Sequence, residues 1–318
     1  MNTVAPTRQE RIEGGLVGLL IGDALGVPYE FHSSSELPPP DSIEYEPPSN
    51  FERAHNGVPP GTWSDDGAQA LCLLASLLDC GGLDLTDFSQ RLVRWHDDGY
   101  LAVDGFVFDV GGTTRRAILA LRAGAAPSDA GPAHTKDNGN GALMRALPLT
   151  LWHQGTDEAL VRDAQIQSRV THGHLRSQIC CALYCLWARR ILQGALNPWQ
   201  DAVITLRRLF QTEPESLAEL EQSIQPDKPI AGSGSGYVVD CLHSARAALQ
   251  ENTYLGVVRA AVLLGNDTDT TACVAGGIAG IRYCINGIPA RLRDGLRGRD
   301  LYEPLLQRLL VHTENGSI

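Results

Sequence analysis

Apolar residues recur along most of the chain at intervals of three and four, the spacing that aligns one face of an α-helix. Alternation with a period of two, which marks a half-buried strand, is scarce. The pattern predicts helices over residues 11–24, 67–79, 85–97, 114–123, 143–152, 158–170, 174–194, 198–211, 238–250, 253–264, 270–286 and 289–296. In the second of these, Ala68, Leu71, Leu74, Ala75 and Leu78 share a face. The first carries Gly14, Gly18, Gly22 and Gly26 at steps of four, a smooth ridge along which another backbone can approach closely. Two stretches break the rhythm. Residues 26–61 hold Ser33-Ser34-Ser35, Pro38-Pro39-Pro40, Pro47-Pro48 and Pro59-Pro60, which no helix survives. Residues 213–236 combine acids with Pro214, Pro226, Pro229 and a Gly/Ser run, and read as a second long excursion. Long loops in compact domains tend to be lids or binding elements, so the first is expected to be a mobile cover. The expectation is one compact all-α domain of ten or more helices over residues 1–318, with its core at about 11–290.

Composition narrows the function. With 318 residues and 43% apolar content the chain can build a sizeable core. Net charge is −11, which repels phosphate backbones at long range and disfavours nucleic acid as a partner. An anionic small ligand would need local help from metal cations or from backbone N–H groups at helix starts. The eight cysteines include no C-x-x-C pair, so zinc and a disulfide framework are both disfavoured, and reduced thiols in a cytoplasmic protein are expected. Residues 1–9 are polar and lack the apolar core of a signal peptide, and the early apolar run Leu16 to Ile21 is far short of a membrane span.

Two segments concentrate acids beside hydroxyls where a loop becomes a helix: Ser64-Asp65-Asp66-Gly67 and Asp267-Thr268-Asp269-Thr270. Helix capping accounts for one such residue at each start. It does not account for two acids at each. Four carboxylates, with the Ser64 and Thr270 hydroxyls, also match the hard oxygen ligands that Mg²⁺ and Mn²⁺ prefer. Further polar residues interrupt apolar runs: Asp23, Glu30 and Asp109, each a cap or an acid/base group. The turn Gly139-Asn140-Gly141 has bare N–H groups that can cradle a phosphate. His172 and His174 flank a helix break, where capping, packing and metal binding are all open.

Taken in order, these segments resemble the ADP-ribosylglycohydrolase family. The resemblance runs through Gly22-Asp23-Ala24-Leu25-Gly26 with Glu30, Ser64-Asp65-Asp66, Phe108-Asp109-Val110-Gly111-Gly112-Thr113-Thr114, Gly139-Asn140-Gly141-Ala142-Leu143-Met144-Arg145, Thr171-His172, and Gly265-Asn266-Asp267-Thr268-Asp269-Thr270. It implies an orthogonal all-α fold and two Mg²⁺ or Mn²⁺ ions, with Ser64, Asp65, Asp66, Asp267, Asp269 and Thr270 as ligands. It places the family's gating glutamate on Glu30 and the bacterial branch's proton acceptor on Asp109. Substrate contacts fall on Asp23, Gly112, Thr113, Thr114, Gly139, Asn140, Gly141 and His172. Ser64 stands where the family usually has threonine, Gly67 replaces a second hydroxyl, and Gly112 stands where the bacterial branch usually has asparagine. The implied reaction is hydrolysis of the bond between ADP-ribose and a protein side chain, arginine by preference. Two alternatives are an immunity protein that occupies an ADP-ribosylating toxin, and a hydrolase of a small conjugate such as O-acetyl-ADP-ribose.

Overall fold

The computed structural model describes residues 6–315; residues 1–5 of the polar opening segment, and 316–318 of the expected domain, lie outside them. Fourteen α-helices are present among the described residues: α1 (Arg8–Gly26), α2 (Asp65–Cys80), α3 (Leu85–Asp98), α4 (Gly112–Arg122), α5 (Leu147–Trp152), α6 (Asp157–Arg169), α7 (Leu175–Leu192), α8 (Pro198–Leu209), α9 (Pro214–Ala218), α10 (Val238–Ala248), α11 (Tyr254–Val262), α12 (Thr268–Gly287), α13 (Ala290–Gly295) and α14 (Arg299–Asn315). Extended pairing among them is limited to two isolated bridges, Ser33 with Gly265 and Gly139 with Tyr237. The all-α expectation holds.

The centre of the fold is an antiparallel pair, α1 against α12. Thr7 and Glu10 form a reciprocal capping box that starts α1. The glycine ridge then meets its partner in register. A Cβ on Gly14 would lie 2.3 Å from the Gly280 carbonyl oxygen, one on Gly18 2.6 Å from that of Gly276, and one on Gly22 2.0 Å from that of Ala272. On Gly26 it would lie 2.3 Å from the Asp269 Cα. Only glycine permits this approach. The contact therefore sets how far the end of α1 sits from the start of α12, where the second acidic motif begins. Around the pair, Leu16, Leu19, Leu20 and Ile21 are fully buried, each worth roughly 1.5–3 kcal/mol of apolar transfer. Tyr254 and Tyr184 donate their hydroxyls to the Gly18 and Val274 carbonyls at 2.8 and 3.0 Å, so both polar ends are satisfied in the core. By length and mean hydropathy (1.2) the segment Arg8–Tyr29 could span a bilayer, but 94% of its most apolar stretch is buried inside the fold.

Three elements differ from the periodicity reading. The 213–236 excursion contains α9 and a π-helix, Glu219–Ile224; Pro214 sits in the first turn, where it is tolerated, and Leu220 and Ile224 are buried. Helix α14 follows the last expected helix. Its apolar residues Tyr302, Leu305, Leu306 and Leu309 keep the helical spacing in spite of Pro304, and all four are buried on its inner face. Residues 143–146 form consecutive turns, and α5 begins only at Leu147 with Pro148 in its first turn.

Candidate active site

The two acidic motifs meet at the end of α1. Ser64 is the N-cap of α2 and its Oγ accepts from the Asp66 N–H at 3.3 Å, a long bond. Asp23 reaches up from α1: its carboxylate accepts the Ser64 N–H at 2.9 Å and the Gly67 N–H at 2.7 Å, bracketing the motif from below. Thr268 donates to the Gly26 carbonyl at 2.8 Å, tying α12 to the same end of α1. Thr270 Oγ1 then donates to Asp66 Oδ1 at 3.3 Å, a direct link between motifs 204 residues apart.

This is a concentrated patch of buried negative charge. Burial first, then the neighbouring carboxylates, pushes Asp65, Asp66 and Asp269 well above the usual range. Burial raises Asp23 to about 7 in spite of its N–H donors. Some of the acids have neutral partners. Gln69 donates to Asp65 at 2.8 Å and accepts from the buried Arg145 at 2.9 Å. Asn140 donates to Asp267 at 3.0 Å. But Asp66 Oδ2 and Asp269 Oδ2 are buried with no hydrogen-bond partner. Single carboxylate oxygens of Glu30, Asp267 and Asp269 lie within 4.8 Å of one another. Bare buried anionic oxygens cost free energy unless a cation meets them, and an all-oxygen donor set fits Mg²⁺ or Mn²⁺. The residues present fit the ions that the sequence implied.

At the mouth, Glu30 bonds to His55 Nε2 at 2.5 Å. Burial, reinforced by Asp109 and Asp267, raises Glu30 to about 10; burial also lowers His55, against the pull of Asp109. Phe31, His55 and Asp109 all hold left-handed backbone, with φ of 65°, 50° and 57°. Strain of about 1–3 kcal/mol per such residue persists where surrounding contacts dictate it, commonly at functional sites. The Phe31 N–H donates to the Asn266 carbonyl at 2.7 Å and the Asn266 N–H returns to His32 at 2.6 Å, so residues 31–32 are strapped to the loop before Asp267. Phe31 and Phe106 are largely exposed, Phe108 stacks on Phe106, and His55 lies between Phe31 and Phe108.

The opposite wall carries no acid. Gly111 begins α4 without a side-chain cap, leaving the first N–H groups of Gly112–Arg122 unclaimed. Facing it is the Gly139–Gly141 turn, whose Asn140 N–H donates to the Gly236 carbonyl at 3.1 Å. His172 backs that turn: its Cε1 lies 2.8 Å from where a Gly141 Cβ would be. Burial, with Arg145 nearby, drives His172 down to about 3, so it is neutral.

Between the walls is a cavity of about 250 Å³, lined by Glu30, Asp65, Asp66, Asp109, Gly112, Thr113, Thr114, Gly139, Asn140, Gly141, Asp267 and Thr270 among others. Residues named from five separate segments of sequence thus converge on one cleft. Asp23, Ser64, Asp269 and His172 lie outside its lining, buried beneath it. Sequence reading missed His55, Gly111, Met144 and Gly236. His55 sits in the proline-broken stretch with nothing in its spacing to mark it. Gly236 is needed bare, since a Cβ there would lie 2.9 Å from Asp267 Oδ2. Arg145 was visible in a motif, but its role as a buried strut binding the Gly141 carbonyl, Gln69 and Gln167 was not.

An orthogonal all-helical fold with an oxygen-rich acidic cleft beside a glycine-lined wall defines a narrow class of hydrolase. The profile of the ADP-ribosylglycohydrolase family matches residues 4–317. The ADP-ribosylarginine hydrolase Tri1 of Serratia proteamaculans is 30% identical over 307 residues, covering 94% of this chain and 79% of that one. The ADP-ribosyl-[dinitrogen reductase] glycohydrolase of Rhodospirillum rubrum is 28% identical, covering 90% of each. A solved structure described as an ADP-ribosylglycohydrolase-related protein complex superposes with a TM-score of 0.76 at 29% identity, covering 96% of this chain and 99% of that one. The chain belongs to the ADP-ribosylglycohydrolase family and is a glycosidic-bond hydrolase.

Proposed function

We propose that the protein removes ADP-ribose from modified arginine side chains of proteins, with two Mg²⁺ or Mn²⁺ ions held by Ser64, Asp65, Asp66, Asp267, Asp269 and Thr270. The observation that carries the metal reading is the pair of buried, partnerless oxygens on Asp66 and Asp269. When bound, the ions supply Lewis acidity toward ribose hydroxyls and a positive charge against the acidic field. The chain's own groups do the rest. Gly112, Thr113, Thr114, Gly139 and Gly141 receive the diphosphate side through backbone N–H groups, while Asn140, whose N–H is spent on Gly236, lines the cleft with its side-chain amide on Asp267. Asp109 accepts the proton of the attacking water at its carboxylate; burial raises its affinity for that proton. Water oxygen bonds to the anomeric carbon, the carbon–nitrogen bond breaks, and the departing guanidine takes up a proton. Glu30, held by His55, gates the acceptor side. Asp23 and His172 act from beneath, as supports for the first motif and the glycine turn.

The arginine preference rests on the mouth. A guanidinium is a flat cation; Asp109 offers it a carboxylate, and Phe31, Phe106 and Phe108 offer it aromatic faces. Relatives named as ADP-ribosylarginine hydrolases support the same choice. The test is release of free ADP-ribose from arginine-modified protein, beside serine-modified protein and O-acetyl-ADP-ribose. Asp109→Asn should leave ADP-ribose binding nearly intact and lower turnover about 10²-fold or more. A wild type that ignores the arginine linkage while cleaving another overturns the substrate assignment. Wild-type turnover in Asp109→Asn moves the proton acceptor to Glu30.

A further inference from the structure

The other end of the α1–α12 pair carries a second cavity, of about 480 Å³, that shares no lining residue with the cleft. Arg11, on its wall, precedes Asp23 by twelve residues of α1, a separation of roughly 18 Å along the helix. Every charged side chain lining this cavity is an arginine: Arg11, Arg246 and Arg282. In a chain of net charge −11 this is a local inversion of sign. Arginines elsewhere, such as Arg91, Arg190 and Arg207, are bonded to carboxylates. Among the described residues these three have no carboxylate partner. Backbone carbonyls hold them instead: Arg11 donates to Ile281 at 3.3 Å, Arg282 to Leu249 at 2.9 Å, and Arg246 to Pro226 and Lys228 at 3.1 and 3.2 Å. Asp227, whose charge reaches Arg246, is itself engaged by Arg207.

The rest of the lining mixes the amides of Asn197, Gln200 and Gln250 with an apolar part. Trp199 and Trp187 meet edge to face at 5.1 Å on its floor, and the Arg246 guanidinium lies 4.7 Å from the Trp199 ring centre. Leu196, 96% exposed, and Ile230 stand on the rim. A concave space of this size with a few fixed polar groups is what a small ligand needs. Guanidiniums held in place by carbonyls are prepared to bind a phosphate or carboxylate through paired N–H groups.

We propose that this cavity is a second ligand site, for an anion carried on a flat apolar body of nucleotide size. The arginines take the anion, and the tryptophan floor and apolar rim take the body. The site does not depend on the activity assigned to the cleft.

The test is titration of full-length protein with AMP, adenosine and inorganic phosphate, read by calorimetry and by tryptophan fluorescence, in wild type and in Asp267→Ala/Gly141→Ala, which impairs both sides of the cleft. AMP should bind both proteins, adenosine and phosphate each at least tenfold more weakly. The double variant Arg11→Gln/Arg282→Gln in the Asp267→Ala/Gly141→Ala background should lose AMP binding at least tenfold. Arg282→Glu alone, at an exposed position, should do the same, with an unchanged Tm confirming that the loss of its bond to the Leu249 carbonyl has not disturbed the fold. Unchanged AMP binding in the arginine variants overturns the site. Adenosine binding as tightly as AMP overturns the anion requirement, and binding of an acidic, leucine-rich peptide in place of AMP overturns the small-ligand reading.

Discussion

On one side of the cleft Asp65, Asp66, Asp267 and Asp269 crowd together with Glu30 and Asp109 near them; on the other, residues 111–114 and 139–141 present glycines, threonines and backbone N–H groups, with neutral His172 behind. The acidic side is unstable as it stands, because burial and mutual repulsion raise its acids and two oxygens are left without partners. The neutral side has no such crowding of charge, and the unclaimed N–H groups at the start of α4 call for an anion instead. A ligand with hydroxyls at one end and a diphosphate at the other fits this division: the anion meets the side without carboxylates, and the sugar meets the side that calls for cations. On the proposed function, the contrast is what lets an acidic protein hold a polyanion.

The comparison can be broken on the acidic side first. Asp269→Ala removes a partnerless oxygen, and calorimetry on chelator-stripped protein should show Mn²⁺ binding weakened by about 10²-fold or more, with ADP-ribose binding at the neutral side less affected. Unchanged Mn²⁺ affinity would reduce the acidic motifs to helix starts. Gly26→Ala comes next. Its Cβ would fall 2.3 Å from the Asp269 Cα, so α1 and α12 must separate. A loss of about 1–3 kcal/mol is expected, seen as a fall in Tm of roughly 1.5–5 °C, together with weaker Mn²⁺ binding. A lower Tm with unaltered Mn²⁺ affinity would show that the glycine ridge does not position the second motif.

On the neutral side the measurable quantity is pH. His172 is held at about 3 against an ordinary value of 6.5, so the unfolded chain takes up its proton first as pH falls. The stabilisation is complete above about pH 6.5 and is lost downward toward pH 3; at pH 5 it should have fallen by about 2 kcal/mol. Denaturant titrations at pH 7 and pH 5 should show that loss in wild type and a smaller one in His172→Gln; equal losses would mean that His172 is accessible to protons when folded. The smallest effect is expected for Gly141→Ala. Its Cβ would press His172 at 2.8 Å and Thr114 Oγ1 at 3.2 Å, and ADP-ribose should bind about tenfold more weakly while Mn²⁺ binding stays as in wild type. Loss of Mn²⁺ binding would join the two sides into one unit.

Much of this was legible along the chain. Helical period, the four-step glycines and the proline-rich stretch at 26–61 are local properties, and so is the coincidence of two acids with a hydroxyl at a helix start. Local rules act within a few residues, and they marked Asp65, Asp66, Asp267 and Asp269 without showing which would meet. The π-helix was hidden because its two apolar residues, Leu220 and Ile224, are interleaved with polar ones, so burial on a partner decides it; α14 was legible in its helical spacing of Tyr302, Leu305, Leu306 and Leu309.

What only the tertiary structure decided is which side chains face the cavity and which stand behind it. Asp23 and Asp66 look alike as carboxylates in apolar surroundings, yet Asp23 is consumed by the N–H groups of Ser64 and Gly67, while Asp66 keeps one oxygen bare. His55 became a partner of Glu30 through the path of a loop that no spacing predicts. The three arginines of the second cavity come from α1, α10 and α12, far apart in sequence, and their shared lack of a carboxylate is a property of the assembled surface alone. The reason is physical: period and capping depend on neighbours along the chain, whereas partnership, desolvation and charge balance depend on neighbours in space.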